Sequence, residues 1–91
     1  QLIGSKWKLL ILRDLLTGTK RYNELKRSLP DISQKVLTAS LKSMVEDGIV
    51  IRTAYPEVPP RVEYSLSELG ESMRPMIAVM EKWRTEYKKN L

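Results

Sequence analysis

The chain has 91 residues, of which 42% are hydrophobic and 30% are charged, a composition that suits one small globular domain and argues against disorder. Neither His nor Cys is present, which excludes zinc sites of the usual kind, thiol nucleophiles and imidazole acid–base catalysis. No apolar run of about eighteen residues could span a membrane. No signal-peptide pattern is present, and since Gln1 is not an initiator Met we expect a trimmed N-terminus. We therefore expect a cytoplasmic protein that is not an enzyme and binds no metal or cofactor.

The charge is unevenly distributed along the chain. Its 16 basic and 11 acidic residues give a net charge of +5. Residues 1–45 contribute +6 of this charge and residues 46–91 contribute −1. A basic half beside a nearly neutral half indicates a side that faces a polyanion such as nucleic acid.

The first predicted helix, residues 5–16, is apolar on two sides and ends at Thr17-Gly18. A helix of this kind is buried on two sides. In so small a domain, the second side either lies in the core or faces a partner subunit, and the segment alone favours neither. One stripe consists of Trp7, Leu10, Ile11 and Leu15, and the other of Leu9, Leu12 and Leu16.

Residues 23–47 have the order of a helix-turn-helix motif. Asn23 is the predicted N-cap of a short helix that Pro30 terminates, and Ser33 is the predicted N-cap of a longer helix that ends at Gly48. The longer helix has an inward apolar stripe at i, i+4, i+7 and i+8. Its outward face is small, basic and hydroxyl-bearing, and such a face could enter a DNA major groove. The alternative is an ordinary amphipathic helix with a solvated face. The outward residues are Ser33, Gln34, Lys35, Thr38, Ala39 and Lys42.

Two predicted strands follow, residues 49–55 and 61–66, separated by a proline-rich tip. Val62, Tyr64 and Leu66 alternate with polar residues, as in a half-buried strand. A hairpin with a stiff tip directly after a candidate recognition helix is typical of a wing, which we predict over residues 49–66. A plain surface hairpin is the alternative.

The last predicted helix, residues 67–89, is capped by Ser67 and should kink or break at Pro75, with Met73 or Arg74 closing its first part. Beyond the proline, apolar residues alternate spacings of four and three, as in a helix–helix seam. This helix is more apolar than the core of one domain requires, so we expect it to pack against a second copy. The predicted dimer interface is Trp7, Leu9, Leu12, Met76, Met80, Trp83 and Tyr87.

Four segments together resemble the HxlR-type family of bacterial winged helix-turn-helix transcriptional regulators. They are KWKLLIL (residues 6–12), ISQKVLT (32–38), EDGIV (46–50) and YPEVPPRVEYSLSELG (55–70). The resemblance implies a mostly α-helical fold with a small β-hairpin (α+β), in one winged helix-turn-helix domain. It also implies a homodimer, joined by its terminal helices, that binds palindromic double-stranded DNA. Residues 33–42 then correspond to the recognition helix and Pro59-Pro60-Arg61 to the wing.

Two departures from the family limit what the resemblance carries. The family usually has Gly where this chain has Ser5, and many members sense oxidants through an N-terminal Cys that is absent from these residues. Our interpretation is a nucleoid-associated transcriptional regulator in which Lys35, Lys42 and Arg61 neutralise phosphates while Gln34, Thr38 and Ala39 read bases. The alternative is a winged helix used for protein–protein contact. A Ser/Lys hydrolase is a third possibility, but it lacks any sequence motif.

Overall fold

The computed structural model describes the backbone of residues 2–88 and the side chains of residues 6–83, 85 and 86. Three helices come first, with a short strand between the first two, and a hairpin, a one-turn helix and a long terminal helix follow. In chain order they are α1 (Leu2–Leu15), β1 (Lys20–Arg21), α2 (Tyr22–Ser28), α3 (Gln34–Glu46), β2 (Val50–Tyr55), β3 (Arg61–Leu66), α4 (Glu68–Glu71) and α5 (Arg74–Lys88).

The core lies where α1, α2 and α3 meet above the small sheet. Each large apolar side chain that is removed from water stabilises the fold by about 1.5–3 kcal/mol. The predicted inward stripe of α3 is confirmed, because Leu37, Leu41 and Met44 are all buried. The mostly α-helical class with a small β-hairpin is confirmed as well. The most deeply buried side chains are Ile11, Leu25, Ile32, Leu37, Leu41 and Met44.

The start of α2 corrects one sequence-based expectation. The helix begins at Tyr22 with Arg21 as its N-cap, so Asn23 lies inside the first turn and is not the cap. Glu24 explains the shift, because its Oε1 accepts a hydrogen bond of 2.7 Å from the Arg21 backbone N–H. A carboxylate three residues into a helix satisfies a donor that the helix itself leaves free.

The two ends of α3 agree with the sequence. Ser33 Oγ accepts a hydrogen bond of 3.1 Å from the Val36 backbone N–H, as an N-cap does. Gly48 has φ +78°, in the left-handed region that favours glycine. There the Ile49 N–H donates to the Met44 carbonyl at 3.0 Å, which closes the helix end and turns the chain into β2.

The sheet has three antiparallel strands in the order β1-β3-β2. The hairpin pairs Val50 with Leu66 at its base and Tyr55 with Arg61 at its tip. The short extended segment before α2 pairs with the other edge of β3, Lys20 opposite Tyr64. The Val58-Pro59 peptide in the intervening loop is cis. We use the name wing for β2, β3 and the loop 56–60 between them.

The terminal helix is broken, as the proline predicts, but the break lies earlier than expected. Helix α4 ends at Glu71 and Ser67 caps it, its Oγ accepting from the Gly70 N–H at 3.2 Å. Helix α5 begins at Arg74, so Arg74 opens the second helix and does not close the first. Pro75 therefore sits in a first turn, where its missing N–H costs no helical hydrogen bond.

Candidate nucleic-acid interface

The outward face of α3 is an exposed polar surface of the helix-turn-helix. We call Ser33, Gln34, Lys35, Thr38, Ala39 and Lys42 the recognition face, and all six are exposed. Behind them, Leu37, Ser40 and Leu41 are buried. This partition fixes α3 against the core on one side and leaves the side chains that the sequence singled out on the other.

The charges of the two lysines on the recognition face are not neutralised by a neighbouring carboxylate among the described residues. Lys35 and Lys42 are exposed, and within the described residues no ion pair involves either of them. Lys8 behaves differently, because its Nζ donates to Ser43 Oγ at 2.8 Å and joins α1 to α3. Some basic side chains of residues 1–45 therefore point to solvent, whereas Lys8 makes a contact within the fold.

Tyr22 belongs to this surface, although the sequence pattern did not single it out. Its hydroxyl donates to the Gln34 carbonyl at 3.2 Å and lies 3.2 Å from Thr38 Oγ1. The available signal was a lone aromatic residue in an otherwise polar stretch between two helices. Its significance depends on the approach of α2 to α3, which sequence spacing does not provide.

The Arg61 guanidinium already has three partners within the wing. Its Nη2 lies 3.1 Å from Glu57 Oε2 and its Nη1 lies 3.6 Å from Glu63 Oε2. The guanidinium also stacks on the Tyr55 ring, 4.1 Å from the ring centroid. Two carboxylates already share the charge of Arg61, and its contact with a phosphate stays a prediction.

A cleft of about 250 Å³ separates the wing from the start of α2. Pro60, Arg61 and Val62 line one side, and Arg21 and Tyr22 line the other. The wing thus stands beside the helix-turn-helix, with its arginine turned toward that boundary.

The residues predicted for a dimer interface differ in how far the fold exposes them. Met76, Met80 and Trp83 are exposed on α5, while Leu9 and Trp7 are half-buried on α1. Leu12 is only 5% exposed because its own protomer encloses it. A side chain in the core has almost no surface for a partner, which corrects the expectation for Leu12. The side chain of Tyr87 lies outside the described residues.

An apolar groove of about 610 Å³ runs between α1 and α5. Ile77 anchors α5 to the core at 3% exposure, whereas Val79 and Trp83 next to it are 67% and 61% exposed. Contiguous apolar surface of this kind usually marks an interaction site. The apolar lining of the α1–α5 groove is Leu9, Leu10, Ile77, Val79, Met80 and Trp83.

The chain is similar to a known family of regulators over almost its whole length. The HxlR-like helix-turn-helix family matches residues 2–91. The chain belongs to this family. Over 87 residues it is 44% identical to YdeP of Bacillus subtilis, an HTH-type transcriptional regulator, covering 96% of this chain and 68% of YdeP. Such membership makes it a transcriptional regulator with a helix-turn-helix fold, which implies DNA binding.

Solved structures agree with the family assignment. The crystal structure of the HTH-type transcriptional regulator ytcD has a TM-score of 0.88 and 44% identity to this HxlR-like chain, covering 96% of it and 89% of ytcD. The redox regulator HypR in its oxidized form has a TM-score of 0.85 and 41% identity, with 88% and 82% covered. Because the 91 residues contain no Cys, this similarity brings no thiol chemistry into them.

Two other kinds of feature are absent from the described part of the HxlR-like chain. Its helices include none that is long and apolar enough to cross a membrane. Its described residues contain no group of three His, Cys, Asp or Glu side chains that could hold a metal ion. The matched relatives are transcriptional regulators, a non-enzymatic class.

Proposed function

We propose that the chain binds double-stranded DNA sequence-specifically, as a homodimer on a palindromic operator. The observation that carries the proposal is the partition of α3 into a buried apolar side and an exposed recognition face. A major groove admits an α-helix, and Lys, Gln, Thr and Ala are side chains that contact phosphates and base edges there. Lys35 and Lys42 hold phosphates, while Gln34, Thr38 and Ala39 contact bases.

The sequence specificity of the recognition face can be tested by selecting binding sites from randomised DNA. Gln34→Ala should cost about 1–3 kcal/mol at one base pair in each half-site and little on random DNA. Half-sites should be spaced about one helical turn apart, ~34 Å, as a two-fold dimer requires. If Gln34→Ala, Thr38→Ala and Ala39→Lys all leave the selected motif unchanged, α3 does not read bases, and a protein-contact function replaces the proposal.

The homodimer rests on the α1–α5 groove. Trp83, Val79 and Met80 form a contiguous exposed apolar surface along this groove, which usually marks an interaction site, and two-fold pairing of the same patch is the commonest way to cover it. Analytical ultracentrifugation at micromolar concentration should give the dimer mass. Trp83→Glu should shift the equilibrium toward monomer because it places a charge in the interface.

Thr85→Glu is the matched control for the dimer test. It introduces the same charge two residues further along α5, at another exposed position, and it should leave the dimer intact. A wild-type chain that stays monomeric with full helical content would contradict the dimer, although it would leave DNA binding by a single domain possible.

A further inference from the structure

The Tyr22 side chain connects the start of α2 with the recognition face. Its ring packs against the protomer core, while its hydroxyl lies 3.2 Å from both the Gln34 carbonyl oxygen and Thr38 Oγ1. A tyrosine has only two side-chain torsions to fix. Because the core holds the ring, the position of the hydroxyl beside α3 is well defined.

The third group in this cluster determines where the two hydroxyl protons lie. A backbone carbonyl can only accept, so the Tyr22 hydroxyl donates its single proton to Gln34. The 3.2 Å contact between the two hydroxyls is a second hydrogen bond only if Thr38 donates to the tyrosine oxygen, so we assign the Thr38 proton to that bond. Thr38 is exposed, and its oxygen therefore offers lone pairs, but no proton, to a molecule that approaches α3.

We propose that Tyr22 is a positioning residue that makes Thr38 a hydrogen-bond acceptor only, so that Thr38 selects a base with an exocyclic amino group. In the major groove these donors are the N6 amine of adenine and the N4 amine of cytosine. Guanine O6 and thymine O4 are acceptors and would face the Thr38 lone pairs. The inference rests on the proposed function, since it requires α3 to enter the groove.

A threonine without the hydrogen bond to Tyr22 would not discriminate between base donors and base acceptors. Its hydroxyl rotates to donate or to accept, and Ser and Thr accordingly pair with either kind of base edge. Tyr22→Phe keeps the aromatic ring in the core and removes only the oxygen. The Thr38 proton is then released, and the base preference at one position should weaken while the fold remains.

The experiment is binding-site selection with the full chain, comparing wild type, Tyr22→Phe, Thr38→Val and the double variant. Wild type should select adenine or cytosine at one position of each half-site. Tyr22→Phe should admit guanine or thymine there and reduce the preference about fivefold, the effect of one hydrogen bond, with every other position unchanged. In the Thr38→Val background, Tyr22→Phe should change nothing further, because it acts through Thr38.

Base analogues that lack the exocyclic amino group test its contact with Thr38 directly. If adenine is selected, purine, which lacks the N6 amine, replaces it at that position; if cytosine is selected, 2-pyrimidinone, which lacks the N4 amine, replaces it. Wild-type binding should weaken about fivefold, the effect of one hydrogen bond, and Thr38→Val binding should not change. Tyr64→Phe is the matched control, because Tyr64 also packs against the core but lies on β3, and it should keep the wild-type motif.

The possible outcomes separate this inference from the proposed function. If Gln34→Ala alters the motif but Tyr22→Phe does not, the function stands and the role of Tyr22 is overturned. The role is also overturned if the Tyr22→Phe effect persists without the Thr38 hydroxyl, since Tyr22 would then contact DNA itself. If wild type selects no motif at all, both proposals fail. Thermal unfolding of each variant verifies that every comparison is made on folded protein.

Discussion

The recognition face of α3 and the tip of the wing both carry basic residues that the sequence assigned to DNA, but they hold their charges differently. Lys35 and Lys42 are exposed and, among the described residues, make no ion pair. Arg61 lies between the carboxylates of Glu57 and Glu63. The recognition face therefore presents two positive charges, whereas Arg61, Glu57 and Glu63 together sum to one negative charge.

The difference shows that neighbours decide whether a basic residue can contribute to DNA affinity. An exposed lysine that meets a phosphate releases a condensed counterion and gains affinity. Arg61 would exchange carboxylate partners for a phosphate, and since a surface ion pair contributes only about 0–1 kcal/mol, the net gain of the exchange should be small. The two carboxylates would also repel the DNA backbone. We therefore expect Lys35 and Lys42 to contribute more electrostatic affinity than Arg61.

The largest expected effect separates the two sides of α3. Leu41→Ala should lower the free energy of unfolding by roughly 2–5 kcal/mol, because it opens a cavity at a buried position. Gln34→Ala, on the recognition face, should change it by no more than ~0.5 kcal/mol. Urea denaturation followed by circular dichroism measures both. A loss of less than about 1 kcal/mol for Leu41→Ala would mean that α3 is not anchored as described.

The second prediction compares the two classes of basic residue directly. Lys35→Ala should weaken specific and random DNA alike and reduce the slope of log K against log salt by ~1 per lost contact, hence ~2 per dimer. Arg61→Ala should reduce it by clearly less than ~1 per protomer, because Glu57 and Glu63 are freed when the arginine is removed. Titrations at several salt concentrations give both slopes. Equal slopes for the two variants would contradict the comparison.

The smallest effect is expected from the wing carboxylates. Glu57→Gln removes one negative charge at 3.1 Å from Arg61 and should strengthen binding to random DNA about twofold to threefold at low salt, because exposed charges are screened. Glu68→Gln is the matched control, since Glu68 is an exposed carboxylate on α4. Fluorescence anisotropy with a random duplex measures the gain. A gain equal to that of Glu68→Gln would show that the effect comes only from net charge.

Local patterns in the sequence determined most of the scaffold. The apolar stripe of α3, its Ser33 cap and its Gly48 stop are confirmed by the structure, because each depends on residues within one or two turns of a helix. The same holds for the break of the terminal helix near Pro75. The exposure of Gln34, Thr38 and Lys42 followed from the same periodicity, since a helix that buries one face must present the other.

Only the tertiary structure decided which of these side chains are free and which are engaged. Leu12 and Leu9 lie on the same predicted stripe, but the packing of α1 buries the first and leaves the second at the α1–α5 groove. The Arg61 guanidinium meets the Tyr55 ring across the hairpin, and Tyr22 of α2 meets Thr38 of α3. Sequence periodicity describes one element at a time. The partners of a charge or a hydroxyl on another element depend on how the elements pack, which no local pattern contains.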